Sequence, residues 1–265
     1  MDEVMYNHSS ILICFILLIA MIAGLELGFR SGRLWQKQVN DGQKSQLGAV
    51  QGSLLGLLAL LLGFTFSLAL QRFDDRSKAV VDEANAIGTA MLRTMQLDAS
   101  VRNDAASSLR AYLDLRVRSA AVSLDLYDER VAILAEAQKI QSDLWAQVQR
   151  AVVADERTIT TGFYIQALNE MFDAYGRRDA ALARHVPEAV LFLLFLTFIM
   201  VCVIVGITSG VSGARPPASM LMMSILIVLL VFIIIDLDRP RRGIIEIDQS
   251  SLTDLQQSLA PRPAS

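Results

Sequence analysis

Charged side chains leave four long gaps in this sequence, and those gaps limit the possible folds more than any other feature. Residues 11 to 29 hold only Glu26, while 49 to 70, 189 to 214 and 216 to 235 hold no Asp, Glu, Lys or Arg at all. A helix needs about 20 residues to cross roughly 30 Å of hydrocarbon, so each gap is long enough for one crossing. The chain of 265 residues is 53% hydrophobic and 19% charged, with a mean hydropathy of +0.43. Its apolar residues are bunched rather than spread at the period of soluble helices or strands, which predicts a membrane protein with four spans. The leader Met1-Asp2-Glu3 is acidic where a cleaved signal carries Lys or Arg, so the first gap is expected to be a retained transmembrane helix.

Several function classes fall away on composition. The 24 basic and 27 acidic residues nearly balance, leaving no basic field for a nucleic acid. Cys14 and Cys202 both lie in apolar stretches, where no disulfide is expected. His8 and His185 are too far apart in sequence to suggest a histidine-based metal site, and no metal or cofactor is expected. The chain carries no Walker loop, G-x-G-x-x-G, H-E-x-x-H, C-x-x-C or G-x-S-x-G, so it is not read as an enzyme.

The pattern predicts an all-α protein: four transmembrane helices, two N-terminal and two C-terminal, flanking a helical-bundle insert. Residues 1–70 hold the first pair, with spans at about 11–29 and 49–70 joined by a polar link from 30 to 47. Residues 71–187 form the insert, 188–236 the second pair (spans about 189–210 and 217–236) and 237–265 a polar tail. Within the insert, apolar residues recur at helical spacing: Val80, Ala84, Ile87, Met91 and Met95; Leu109, Leu113, Val117 and Ala120; Ile133, Ala137, Ile140 and Leu144; Tyr164, Leu168, Met171, Tyr175 and Leu182. Four helices are expected, with breaks near Asp98 to Asn103, Asp125 to Asp128 and Asp155 to Thr158. Leu70-Gln71-Arg72-Phe73 contains no breaker, so the second span is expected to continue into the insert as one helix from about 48 to 97. Pro187 marks the return, and Ser250 or Ser251 is the expected cap of a short tail helix carrying Leu252, Leu255 and Leu259. Counted over short loops, Lys and Arg place the 30–47 link in the cytoplasm and the insert outside. Counted within about 20 residues of the spans, Arg72, Arg76, Lys78, Arg177, Arg178, Arg184, Arg239, Arg241 and Arg242 reverse that answer.

Candidate functional residues are few. Gly48, Gly52, Gly56, Gly63 and Ser67 fall on one face of the second span. This stripe fits either close helix packing or a pore lining in a ring of subunits, with Phe64 or Phe66 as an apolar constriction. Glu26 is the one ionisable residue inside a span, and reads either as an ion site or as an ion pair with Arg30 one turn later. Asp236 and Asp238 end the fourth span, either ringing a pore mouth or held by Arg239, Arg241 and Arg242. Glu83 shares a face with Ala79, Ala86, Ile87 and Ala90, so its carboxylate is aimed at a close helix contact and needs a partner there. Asn85, Thr89 and Arg93 follow at four-residue intervals and suggest a polar ladder.

Three segments carry a family resemblance: GLLALLLGFTFSLALQRFDDR (56–76), EANAIGTAMLR (83–93) and DLDRPRRG (236–243). Together they resemble a bacterial family of bestrophin-like integral membrane proteins, in a layout that covers most of the chain. The resemblance implies a multi-pass protein of the bacterial inner membrane and a homo-oligomer, a pentamer if it follows the bestrophins. It further implies an ion channel for small ions, with the second span facing the pore and the insert in the cytoplasm. No bestrophin neck or selectivity motif carries over residue by residue. The alternative function is a non-conducting membrane sensor or scaffold whose insert binds a protein or ligand.

Overall fold

The computed structural model describes residues 8–122, 126–154, 158–215, 218–239 and 244–260. Among them are eight helices and no strand: α1 (Ser10–Trp35), α2 (Asp41–Thr94), α3 (Ala99–Ala121), α4 (Tyr127–Ala154), α5 (Thr158–Ala183), α6 (Glu188–Ser212), α7 (Ala218–Asp238) and α8 (Ser250–Ser258). Four are long and apolar enough to cross a membrane. The chain divides into two compact units, Met1–Arg72 with His185–Arg239, and Phe73–Arg184 with Pro240–Ser265.

The first unit holds α1, the early part of α2, α6 and α7. Two boundaries differ from the sequence reading. Helix α1 runs on to Trp35, and α2 starts at Asp41 because Asn40 and Gln43 cap each other reciprocally: Gln43 N–H donates to Asn40 Oδ1 (2.9 Å) and Asn40 N–H to Gln43 Oε1 (3.0 Å). The expected 18-residue link is thereby reduced to 36–40. Helix α1 buries Ile13, Leu17, Met21, Gly24 and Gly28 on one stripe, while Ile11, Phe15, Ile19 and Leu27 point outward. An outward apolar face of this kind is incompatible with water and suited to hydrocarbon. Three span hydroxyls return to their own helix: Thr65 donates to the Leu61 carbonyl, Thr197 to Leu193 and Ser224 to Met220, which pairs each of them in an apolar setting.

Helices α1 and α6 meet through glycine. A Cβ at Gly28 would strike the Val203 carbonyl, and one at Gly206 would strike the carbonyl of Leu25; Gly32 and Gly210 are equally confined against Ile207 and Phe29. Backbone touching backbone replaces the hydrophobic drive that lipid removes. At one end of this unit, Asp238 closing α7 accepts the Val186 N–H on both oxygens (3.1 and 3.0 Å), just ahead of α6. The next residue, Arg239, donates to the His8 carbonyl (2.6 Å) and to Ser10 Oγ (3.0 Å). The start of α1 and the end of α7 therefore lie together, as an even number of crossings requires.

In the second unit, the later part of α2 packs with α3, α4, α5 and α8. Val80, Ala84, Ile87 and Met91 join Leu109, Leu113, Ala137, Leu144, Tyr164, Leu168 and Met171 in one core. Met95, expected in that core, is 64% exposed because α2 ends at Thr94, and Leu97 in the following turn takes its place at 2%. Asp98 caps α3 by accepting the Ser100 N–H at 2.9 Å. The segment after residue 243 belongs to this core: Leu252 of α8 is fully buried, and Leu255 and Leu259 pack against it. The cap of α8 is neither serine. Asp248 accepts from the backbone N–H (2.8 Å) and the hydroxyl (2.7 Å) of Ser250. Those two bonds hold its carboxyl below the usual carboxylate range.

Candidate functional site

Two constellations stand out, one in each unit. In the first, Gly48, Gly52, Gly56 and Gly63 are exposed, and a Cβ at any of them would meet nothing within 4 Å among the described residues. Phe64, Phe66 and Ser67 are exposed beside them. Small residues spaced by four therefore occur in two settings in this chain, confined between α1 and α6 and bare along α2. The α1 and α6 glycines were visible in the sequence at the same spacing, but spacing alone does not say which stripe has a partner within the chain.

The remaining first-unit candidates are anchored locally. Glu26 pairs with Arg30 through Nε at 2.7 Å, both side chains partly exposed. Asp236 and Asp238 are each 2% exposed, with Asp238 turned onto the Val186 backbone and 3.8 Å from His185 Nδ1. Of the three arginines expected to hold these aspartates, Arg241 and Arg242 lie outside the described residues, and Arg239 reaches the start of α1.

In the second unit the centre is Glu83, fully buried. Its Oε1 accepts from Arg116 Nε at 2.6 Å, and its Oε2 accepts from Arg116 Nη2 at 3.2 Å and from Arg178 Nη1. Arg116 is stacked 4.7 Å from the centroid of the Tyr175 ring, and Arg178 Nη2 donates to Gln249 Oε1 at 2.8 Å. Each charge stands where its helix should be apolar: Glu83 three residues after Val80, Arg116 seven after Leu109, and Arg178 seven after Met171. That interruption was the available signal for both arginines, which sequence reasoning passed over.

Two guanidiniums sharing one carboxylate leave the buried cluster with a net positive charge. Burial works against both cations. At Arg116 the two-pronged pairing with Glu83 outweighs it and holds the proton more tightly than usual. At Arg178 burial, with repulsion from Arg116, prevails over Glu83 and lowers its pKa from the arginine value. Burial and then the field of Glu83 push the nearby Tyr112 phenol well above its ordinary range.

Asn85, Thr89 and Arg93 do not form a ladder. Thr89 donates to the Asn85 backbone carbonyl at 2.9 Å, while Arg93 donates to Gln96 and stacks over Phe163 at 5.0 Å. Among the described residues no three His, Cys, Asp or Glu side chains gather as a metal site.

The profile of the bestrophin-like domain matches residues 14–252, taking in every helix from α1 to α7 at least in part. The chain belongs to the bestrophin-like family. No curated protein matches this bestrophin-like chain in sequence. Among solved structures it resembles crystal structures of two single-substitution variants of a bacterial bestrophin homolog from Klebsiella pneumoniae. The first has a TM-score of 0.66 at 19% identity, covering 95% of this chain and 97% of the other. The second has a TM-score of 0.64 at 17% identity, covering 92% and 96%. A crystal structure described as a membrane protein follows at 0.62 and 18% identity, covering 95% and 98%. The bestrophin-like chain thus shares its fold, over nearly its full length, with bacterial bestrophin homologs.

Proposed function

We propose that this bestrophin-like protein is a homo-oligomeric ion channel of the bacterial inner membrane, five subunits placing the α2 glycine stripe around a shared axis. The observation that carries this reading is the contrast between the two glycine settings. Gly28, Gly32, Gly206 and Gly210 touch the backbone of the facing helix, whereas Gly48, Gly52, Gly56 and Gly63 face open space. A stripe of bare small residues on a span suits a water-filled lumen, where a larger side chain would narrow the path. Phe64 and Phe66, on either side of the stripe, are the candidates for an apolar constriction that closes by dewetting. The tight α1–α6 contact leaves α2 as the helix with a small-residue face unspent inside its own subunit. The test is flux of monovalent ions from liposomes carrying the purified protein, repeated with Gly56→Leu and Gly63→Leu. Flux in the parent and its loss in both variants, with unchanged oligomer size, is the expected result. No flux under any ionic gradient defeats the reading.

A further inference from the structure

Beside the buried cluster lies a cavity of about 280 Å³, wholly within the second unit. One wall is polar: Arg76, 1% exposed, Arg178, 2% exposed, and Gln249. The rest is largely apolar, from Val80 of α2, Val122 after α3, Leu182 of α5 and Ile247 ahead of α8. Arg76 is held rigidly, with Nε donating to the Ala181 carbonyl (3.1 Å) and Nη2 to that of Arg184 (2.5 Å). Arg178 is fixed by Glu83 and Gln249. Two immobilised guanidiniums face the cavity, and the Glu83 cluster behind Arg178 holds one more positive charge than negative. The Arg178 guanidinium has five N–H donors in a fixed plane, and Glu83 and Gln249 do not exhaust them.

We propose that this cavity binds a small aliphatic carboxylate, its head on Arg76 and Arg178 and its chain against Val80, Val122, Leu182 and Ile247. A carboxylate matches the planar fork of arginine. At roughly 30 Å³ per water the volume equals about nine waters, room for an acid of about six carbons. A phosphate would set polar oxygens against the apolar wall. Glu246, exposed at the rim, is the one acidic side chain among the described lining residues and opposes an anion there. Because the lining comes from α2, α5 and the segment leading into α8, an occupant fastens that segment onto the bundle. This inference does not rest on ion conduction, and a chain that carries no current would still bind.

The experiment is isothermal titration of the full-length protein in nanodiscs with sodium hexanoate, hexanamide and inorganic phosphate at one ionic strength. Hexanoate is expected to bind saturably, and the other two about tenfold more weakly or not at all, since each lacks one half of the match. Ile247→Trp fills the apolar end and should abolish binding while circular dichroism and elution volume stay unchanged. The exposed Glu246→Gln removes the opposing charge and should tighten binding about threefold without touching the core. Hexanamide or phosphate binding as well as hexanoate overturns the proposal. So does hexanoate binding that Ile247→Trp leaves intact or that Glu246→Gln fails to strengthen.

Discussion

Removing the Glu83 carboxylate is the sharpest test of the second unit. In Glu83→Gln the side chain keeps its size but presents an amide nitrogen to one of two guanidiniums, themselves only 5% and 2% exposed. Breaking a buried ion pair by deleting one partner costs about 3 to 5 kcal/mol, since the partner stays buried and uncompensated. Two cations are stranded here, which argues for the upper end. Against that, Arg116 keeps the Tyr175 ring and Arg178 keeps Gln249. Taking about 3 kcal/mol and roughly 3 °C per kcal/mol for a chain of this size, the thermal midpoint should fall by roughly 10 °C. The assay is far-ultraviolet circular dichroism on heating in detergent, alongside Glu83→Gln combined with Arg116→Met and Arg178→Leu, where apolar replacement should recover most of the loss. A single variant melting within about 2 °C of the parent would refute the view that this cluster is dry and mutually dependent.

Other outcomes follow from the same geometry. Gly28→Leu should force α1 from α6 and lower the thermal midpoint by roughly 10 °C, while Gly56→Leu, with no neighbour within 4 Å in its own subunit, should leave monomer folding intact; parallel melts separate the two. The Tyr164 hydroxyl is buried without a hydrogen-bond partner, so Tyr164→Phe should stabilise by about 1 kcal/mol in denaturant titration. Asp248 has a carboxyl held below its ordinary 3.8, so its support of α8 is complete above that value and fades as pH falls through the lower folded value. Asp248→Ala should therefore speed proteolytic loss of α8 at neutral pH, with the gap from the parent closing in strong acid.

Much of this architecture was readable before any coordinates, for a physical reason. Lipid forbids charge over a fixed length, so gaps in charge translate directly into spans, and a polar stretch with apolar residues every three or four positions has few alternatives to a helical bundle. What escaped was contact at long sequence range. Glu83 announced that it needed a partner, but Arg116 and Arg178 lie 33 and 95 residues away, and only folding brings them to it. Likewise the glycines of α2 are no more conspicuous in the sequence than Gly24, Gly28 and Gly32, which carry the same spacing in α1. Short-range chemistry was misplaced by a turn or less: Met95 falls past the helix end, and the Asp248 carboxylate accepts the Ser250 N–H where a serine cap was expected.

The glycine seam between α1 and α6 also bears on how the protein is made. Its two sides are separated by more than 150 residues, so during synthesis α1 enters the bilayer long before α6 leaves the ribosome. Through that interval the nascent chain carries Gly24, Gly28 and Gly32 uncovered, and any other membrane helix with a small-residue groove can compete for them. Only when α6 arrives are these glycines covered, as the close backbone contacts of Gly28 and Gly32 with α6 require.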